Sequence, residues 1–258
     1  MAPSPNQAEL ARRPCSPTAG LSCWRPMSQA DSHRAVASEP TGWAAKRWTP
    51  RTAMEAPSAL PVGAAVGWKP LLRHQRKGEP LRGDFHPGWA RLGWNVSVLV
   101  AEFAFAGNGA GNRARGLNER AHLLGDVGEI FLQWAGADRY IEIQVTPENQ
   151  RLQLGWSGER IAAVRKGQAT LEDFTISDPD WVQSVTTVAP TFWSARVVVP
   201  AAAILAGGRE FDPETALLAA VGRYDYGGRE TPILSASTDF RGQPFHTRAA
   251  WHRVRLEP

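Results

Sequence analysis

GDVGEIFLQWAGADRYIEIQVT, residues 125–146, reads as two β-strands joined by a tight loop, with a carboxylate inside each strand. Successive side chains of a strand point to opposite sides of the sheet. Ile130 and Leu132 therefore share one face, and Val127, Glu129, Phe131 and Gln133 share the other. In the second run Ile141, Ile143 and Val145 are the apolar set, while Tyr140, Glu142, Gln144 and Thr146 are the polar one. Gly136 and Asp138 mark the loop between them. If Trp134 faces Arg139, Glu129 falls opposite Gln144, and Phe131 falls opposite Glu142.

A second turn, Pro147 to Gln150, leads into RLQLGW. With that turn, Leu152 and Leu154 extend the apolar face, and Arg151 and Gln153 extend the polar one, Gln153 opposite Gln144. The three strands then form a meander with one oily side and one side of acids, amides, an arginine and a tyrosine. One reading of the polar side is a solvated sheet face, common in antiparallel sheets. The other is a surface for a polyhydroxylated ligand, since amides and paired charges mixed with rings suit hydroxyl groups. Buried or half-buried, Glu129 and Glu142 need partners, and Arg151 and Arg223 are the candidates by pattern.

The 258 residues divide by composition. Residues 1–58 hold both cysteines, many Pro, Ser and Ala and little apolar periodicity; a disordered extension is expected there. Residues 59–258 are expected to form the folded domain. Seven Lys/Arg against three acids in residues 1–53 account for the whole net charge of +4, so the remainder is neutral. The basic isoelectric point thus comes from a tail and supplies no basic face for nucleic acid. Met54 stands as an alternative start of translation. No run from residue 54 onward reaches the roughly 20 apolar residues of a membrane-spanning helix, and no leader pattern opens the chain. The expectation is a monomer, cytoplasmic by default, that engages neither nucleic acid nor membrane. Without cysteine in the domain, neither disulfides nor thiolate metal sites are available to it.

Elsewhere, 92–105 reads as one long strand or two short ones, and the polar loop from Gly107 through Arg120 and His122 has the length of a functional loop. Ile161–Val164 and Leu171–Ile176 read as short strands, 193–200 as a strand stopped by Pro200, AAAIL as a helical turn, and 216–226 and 249–257 as strands. Eight to ten short strands with little helix predict an all-β fold, an antiparallel sandwich.

Taken in order, LNERAHLLGDVGEIFLQ, RYIEIQVTPENQRLQLGW, FWSARVVVPAAAIL, VGRYDYGG and PFHTRAAWHRVRL resemble carbohydrate-binding module family 9 and its relatives, the DOMON-like domains, over residues 60–258. The resemblance implies a jelly-roll-like antiparallel β-sandwich that binds a carbohydrate ligand, with structural calcium and no other cofactor. Glu129 matches the glutamate of the family's DxxE strand, Tyr140 and Glu142 its YxE, and Arg223, loosely, an arginine of a later strand. His122 and Leu123 stand where relatives carry a tryptophan; Trp156 and Trp181, each after a turn, are the alternative stacking rings, with core packing the commoner role for either. The candidate ligand-binding set is His122, Glu129, Tyr140, Glu142, Arg151, Trp181 and Arg223.

Other chemistries remain open. Two carboxylates on adjacent strands can reach the roughly 5–9 Å separation of a glycosidase pair. His246 and His252 are conceivable haem or zinc ligands, although no methionine lies within the domain. Asp178 and Asp180 could offer oxygens to calcium. A sandwich that has lost sugar binding and serves as a structural or interaction domain is the leading alternative.

Overall fold

The computed structural model describes residues 42–48, 56–59, 61, 67–76, 78–79 and 83–258. Among them are thirteen strands and two short α-helices arranged as a β-sandwich. The first sheet runs β8 (Arg151–Trp156), β7 (Tyr140–Val145), β6 (Val127–Trp134), β11 (Leu217–Asp225), β13 (His252–Leu256) and β1 (Trp43–Arg47). The second runs β1, β4 (Gly88–Trp94), β5 (Val98–Ala106), β10 (Phe192–Pro200) and β9 (Gln183–Ala189). β2 (Lys69–Pro70) adds to β4, while β12 (Ile233–Ala236) adds to the far half of β11 and carries β3 (Leu72–His74).

β1 belongs to both sheets. Trp43 to Ala45 pair in parallel with Val254 to Leu256, and Lys46 and Arg47 pair in parallel with Gly93 and Trp94. Every other strand pair is antiparallel. The domain boundary at residue 58/59 therefore moves: Trp43–Arg47 is part of the sandwich. The signal was weak because the strand has five residues, of which only Trp43 and Ala45 are buried. Most of the proposed extension, residues 1–41 and 49–55 with Cys15, Cys23 and Met54, lies outside the described residues.

Between the sheets Leu99, Phe103, Phe105, Ile130, Leu132, Ile143, Trp193 and Val221 pack into the main core. A second apolar cluster lies on the outer side of the first sheet and joins Phe131, Leu152, Leu154, Trp156, Phe245 and Trp251. The first sheet is thus covered on both faces.

The β6–β7 hairpin pairs as read, Glu129 with Gln144 and Phe131 with Glu142. The next hairpin differs by one residue. Val145 pairs with Arg151 across a five-residue connection in which Asn149 adopts φ 63° and the Gln150 N–H donates to Thr146 Oγ1. A slip of one residue turns every side chain over. Leu152, Leu154 and Trp156 consequently join the face of Glu142 and Gln144, and Arg151 and Gln153 go to the other side.

Two segments expected as strands are helical. Ser157 accepts a hydrogen bond from the Arg160 N–H and starts α1 (Gly158–Arg165), the usual work of an N-cap serine. Glu172–Phe174 form a 3-10 turn. The AAAIL turn is α2 (Ala201–Ile204).

Trp43 is 3% exposed and sets its ring edge-on to His252 at 5.5 Å. Trp43→Ala should cost about 3–5 kcal/mol as a large-to-small core change, read as a lower urea midpoint. A chain beginning at Met54, without β1, should be destabilised further, and equal midpoints for it and the full chain would refute the role of β1.

Candidate ligand-binding site

On the outer face of the first sheet lies a cavity of about 400 Å³. Its floor is built by strand alternation: Glu129 and Phe131 from β6, Glu142 and Gln144 from β7, Trp156 from β8 and Tyr224 from β11 point to that side. β12 and β3 add Leu234 and His74. The walls come from the loop bearing Arg120, His122 and Leu123, from α1 and the residues after it, and from Pro244 to His246. That polar loop is pinned rather than loose. Asn112 Nδ2 donates to the carbonyls of Ala121 and Asp126, and Asp126 accepts from the N–H groups of Gly111 and Tyr226.

The polar face is buried, not solvated: Glu129 is 1% exposed, Gln144 2% and Glu142 3%. Gln144 organises the floor. Its Nε2 donates to Glu142 Oε1 at 2.7 Å and more weakly to Glu129 Oε2 at 3.4 Å, while His122 Nδ1 lies 3.2 Å from its Oε1. Trp156 Nε1 donates to Glu142 Oε2 at 2.8 Å. His246 Nε2 is 3.7 Å from the same oxygen, and its Nδ1 lies 2.7 Å from the Tyr140 hydroxyl. Glu142 is thereby satisfied on both oxygens. Glu129 Oε1 and His74 Nε2, in contrast, are buried without any hydrogen-bond partner. Of the eight such atoms among the described residues, these are the two whose residues line the cavity, where a ligand or water can bond them.

Gly222, across from Glu129 on β11, makes this floor possible. A Cβ there would stand 2.5 Å from Glu129 Oε1 and 2.9 Å from Phe245 Cε2.

Burial, then the nearby Glu142 carboxyl, pushes the pKa of Glu129 well above the ordinary 4.5, and burial pushes Glu142 up to about 7. Burial also drives the imidazoles down, His74 and His122 to about 4 and His246 to about 3, with Arg76 adding to the shift at His74. At neutral pH the three imidazoles are uncharged. The cations Arg76, Arg120 and Arg165 stand at the lining; Arg120 is held bidentately by Glu172 at 2.7 and 2.8 Å, and Arg76 lies 3.9 Å from Glu79.

Of the seven candidate residues, the structure brings His122, Glu129 and Glu142 to this cavity, with Tyr140 one step behind His246. The other three are elsewhere, which corrects their assignment. Arg151 donates to the carbonyls of Val182 and Pro179 on the opposite side of the sheet, because of the register of β8. Trp181, on that same turn, packs against the main core. Arg223 alternates to the inner face, 1% exposed, where it donates to the carbonyls of His86 and Ala106 and lies 4.9 Å above the Phe105 ring. Neither arginine neutralises the two glutamates.

Sequence reasoning missed His74, Tyr224 and Phe245. Gly222 was the one available signal, since a glycine inside a strand often marks a close approach. Asp178 Oδ1 accepts from the Asp180 N–H as an ordinary turn, and among the described residues no group of three His, Cys, Asp or Glu is placed to hold a metal ion.

Neither a family model nor a curated protein sequence matches the chain. Solved structures do, and they define a class: the chain has the fold of carbohydrate-binding module family 9. A candidate carbohydrate-binding protein from Bacteroides uniformis is similar at TM-score 0.60 and 17% identity, over 83% of this chain and 98% of that one. A family 9 module from Caldicellulosiruptor kristjanssonii in complex with cellotriose follows at 0.56 and 11%, over 83% and 92%. Its complex with glucose gives 0.54 and 10%, over 83% and 94%.

Two outcomes are expected. A carboxyl with a raised folded pKa stabilises fully below its unfolded pKa, and that contribution is lost as pH rises through the folded value. Glu129→Gln, which cannot ionise, should match the parent near about pH 4 and exceed its stability above about pH 7, measured by urea denaturation at both; parallel pH profiles would refute the burial argument. Gly222→Ala should cost about 1–3 kcal/mol by overpacking and displace Glu129, visible in the same denaturation assay.

Proposed function

We propose that this protein is a non-catalytic carbohydrate-binding protein, acting as a monomer without a bound cofactor, and that its ligand occupies the covered face of the first sheet. The observation that carries this is the floor itself: a carboxyl–amide–imidazole network holding two orphaned buried polar atoms, Glu129 Oε1 and His74 Nε2, beside the rings of Trp156, Tyr224 and Phe245. Hydroxyl groups both donate and accept, so a sugar can satisfy a carboxyl and a neutral imidazole together. The C–H face of a pyranose ring suits aromatic surface. The fold, shared with modules solved with cellotriose and glucose, supports the same reading.

Glycoside hydrolysis needs two available carboxyl groups, one to protonate the leaving oxygen and one to attack or activate water. Glu142 has both oxygens engaged, by Gln144 and by Trp156. Only Glu129 keeps a free oxygen, which favours recognition over turnover.

The test is a glycan array of the full chain with and without calcium, followed by calorimetric titration of the hits. Glu129→Ala should weaken binding about 10- to 100-fold, the loss of one or two ligand hydrogen bonds. Arg151→Ala and Trp181→Ala, whose side chains point away from the cavity, should bind like the parent. Absence of any glycan signal would leave an interaction domain, and turnover of aryl glycosides abolished by Glu129→Ala would make the protein an enzyme.

A further inference from the structure

The cavity has a second chemistry that a bare sugar does not use. Ile161 and Val164, three residues apart on α1, and Leu171 after it line the wall and remain only half-buried; α1 buries none of its residues. Leu123, one of four large apolar side chains exposed among the described residues, lines the same cavity at 43% exposure. The aliphatic side chains gather on one wall, although rings of Phe131, Trp156 and Tyr224 share the floor and His122 and His246 come from the loops. The floor strands supply the two carboxyls, the amide, the His74 imidazole and Leu234, while α1 and the loops supply Ile161, Val164, Leu171 and Leu123.

Hydroxyl groups gain nothing from an aliphatic wall, and water against it is unfavourable by an amount that grows with area. The volume, about 400 Å³, falls within the roughly 300–1,000 Å³ of pockets that hold drug-sized ligands. It has room for a ring and a substituent. None of the three cations nearby is free: Arg120 is paired with Glu172, Arg76 lies close to Glu79, and Arg165 has an interaction of its own.

We infer that the ligand is a glycoside with an apolar aglycone, its sugar ring on the Glu129–His74 floor and its aglycone against Ile161, Val164, Leu171 and Leu123. This rests on the sugar-binding reading above and narrows it to a substrate class. No bond is made or broken; the site distinguishes ligands by what hangs from the anomeric oxygen.

The experiment is calorimetric titration of the full chain with free glucose, galactose, mannose and xylose, with the methyl and phenyl β-glycosides of each, and with phenol. For whichever sugar binds, the phenyl glycoside should bind about tenfold or more tightly than the methyl glycoside. The double variant I161S/V164S, on an outer helix that buries no residue, should bring the phenyl glycoside down to the level of the methyl one. Leu123→Ser provides a second, independent reduction in the same preference. Equal affinities for phenyl and methyl glycosides of a sugar that binds would overturn the inference and leave sugar binding standing. Phenol binding as tightly as the phenyl glycoside would overturn it as well, by showing a merely greasy pocket. Failure of every sugar and glycoside to bind would overturn both.

Discussion

A β-sheet covered on both faces cannot leave a polar side chain on either without giving it a partner, and this constraint organises the molecule. β6 and β7 are buried along almost their whole length, yet they carry Glu129, Glu142 and Gln144 in their middle. Isolated buried carboxylates are costly, and proteins meet that cost by hydrogen bonding or by holding the proton. Both devices appear here. Gln144 and Trp156 bond Glu142, and burial raises the pKa of both acids. The cations expected to neutralise them are on the far side of the sheet.

Protonation gives the floor a direction. Within the cavity lining, the imidazoles of His74, His122 and His246 are held neutral, and an acid held protonated can donate as well as accept. Glu142 spends its capacity on the protein, where it fixes Trp156 and Gln144 in place. Glu129, tied to Gln144 only at 3.4 Å, keeps its capacity for something else. The two acids look alike in sequence, each central in a β-strand, and differ because one lies next to an indole N–H and the other lies over a glycine. Gly222 is the geometric reason: by omitting a side chain it lets Glu129 rise beside Phe245.

Much of this was legible before the structure. Strict alternation in YIEIQVT fixes faces wherever the hairpin loop is short, so the β6–β7 pairing and the common face of Glu129, Glu142 and Tyr140 followed directly. The next turn hid a left-handed Asn149 and one extra loop residue, and the whole of β8 turned over; Arg151 left the site and Trp156 entered it. Arg223 could be assigned to a face within its strand, but which face looked inward depended on β6 across the ladder. β1 was illegible because five residues with two buried side chains give almost no period, and its stability comes from strands more than forty and two hundred positions away. Whether the polar face was solvated or a ligand surface stayed open, because nothing local says that 158–171 and 240–251 fold back over it. Long-range covering of this kind is set by tertiary packing, which sequence periodicity does not record.

The same covering decides what kind of site the fold carries here. A sandwich face bare of helices offers a ligand only the sheet and its edge loops, and stacking must come from rings at the rim. Here α1, started by Ser157 immediately after Trp156, places aliphatic side chains over the strand residues that precede it in sequence. Trp156 is then buried, 5% exposed, with its N–H turned down to Glu142 and its ring edge to His246 at 5.4 Å. An indole so held cannot swing out to clamp a ligand from above. Affinity must instead come from depth, with polar atoms at the bottom meeting polar groups and the apolar wall excluding water above them, where a low local dielectric strengthens each hydrogen bond made below.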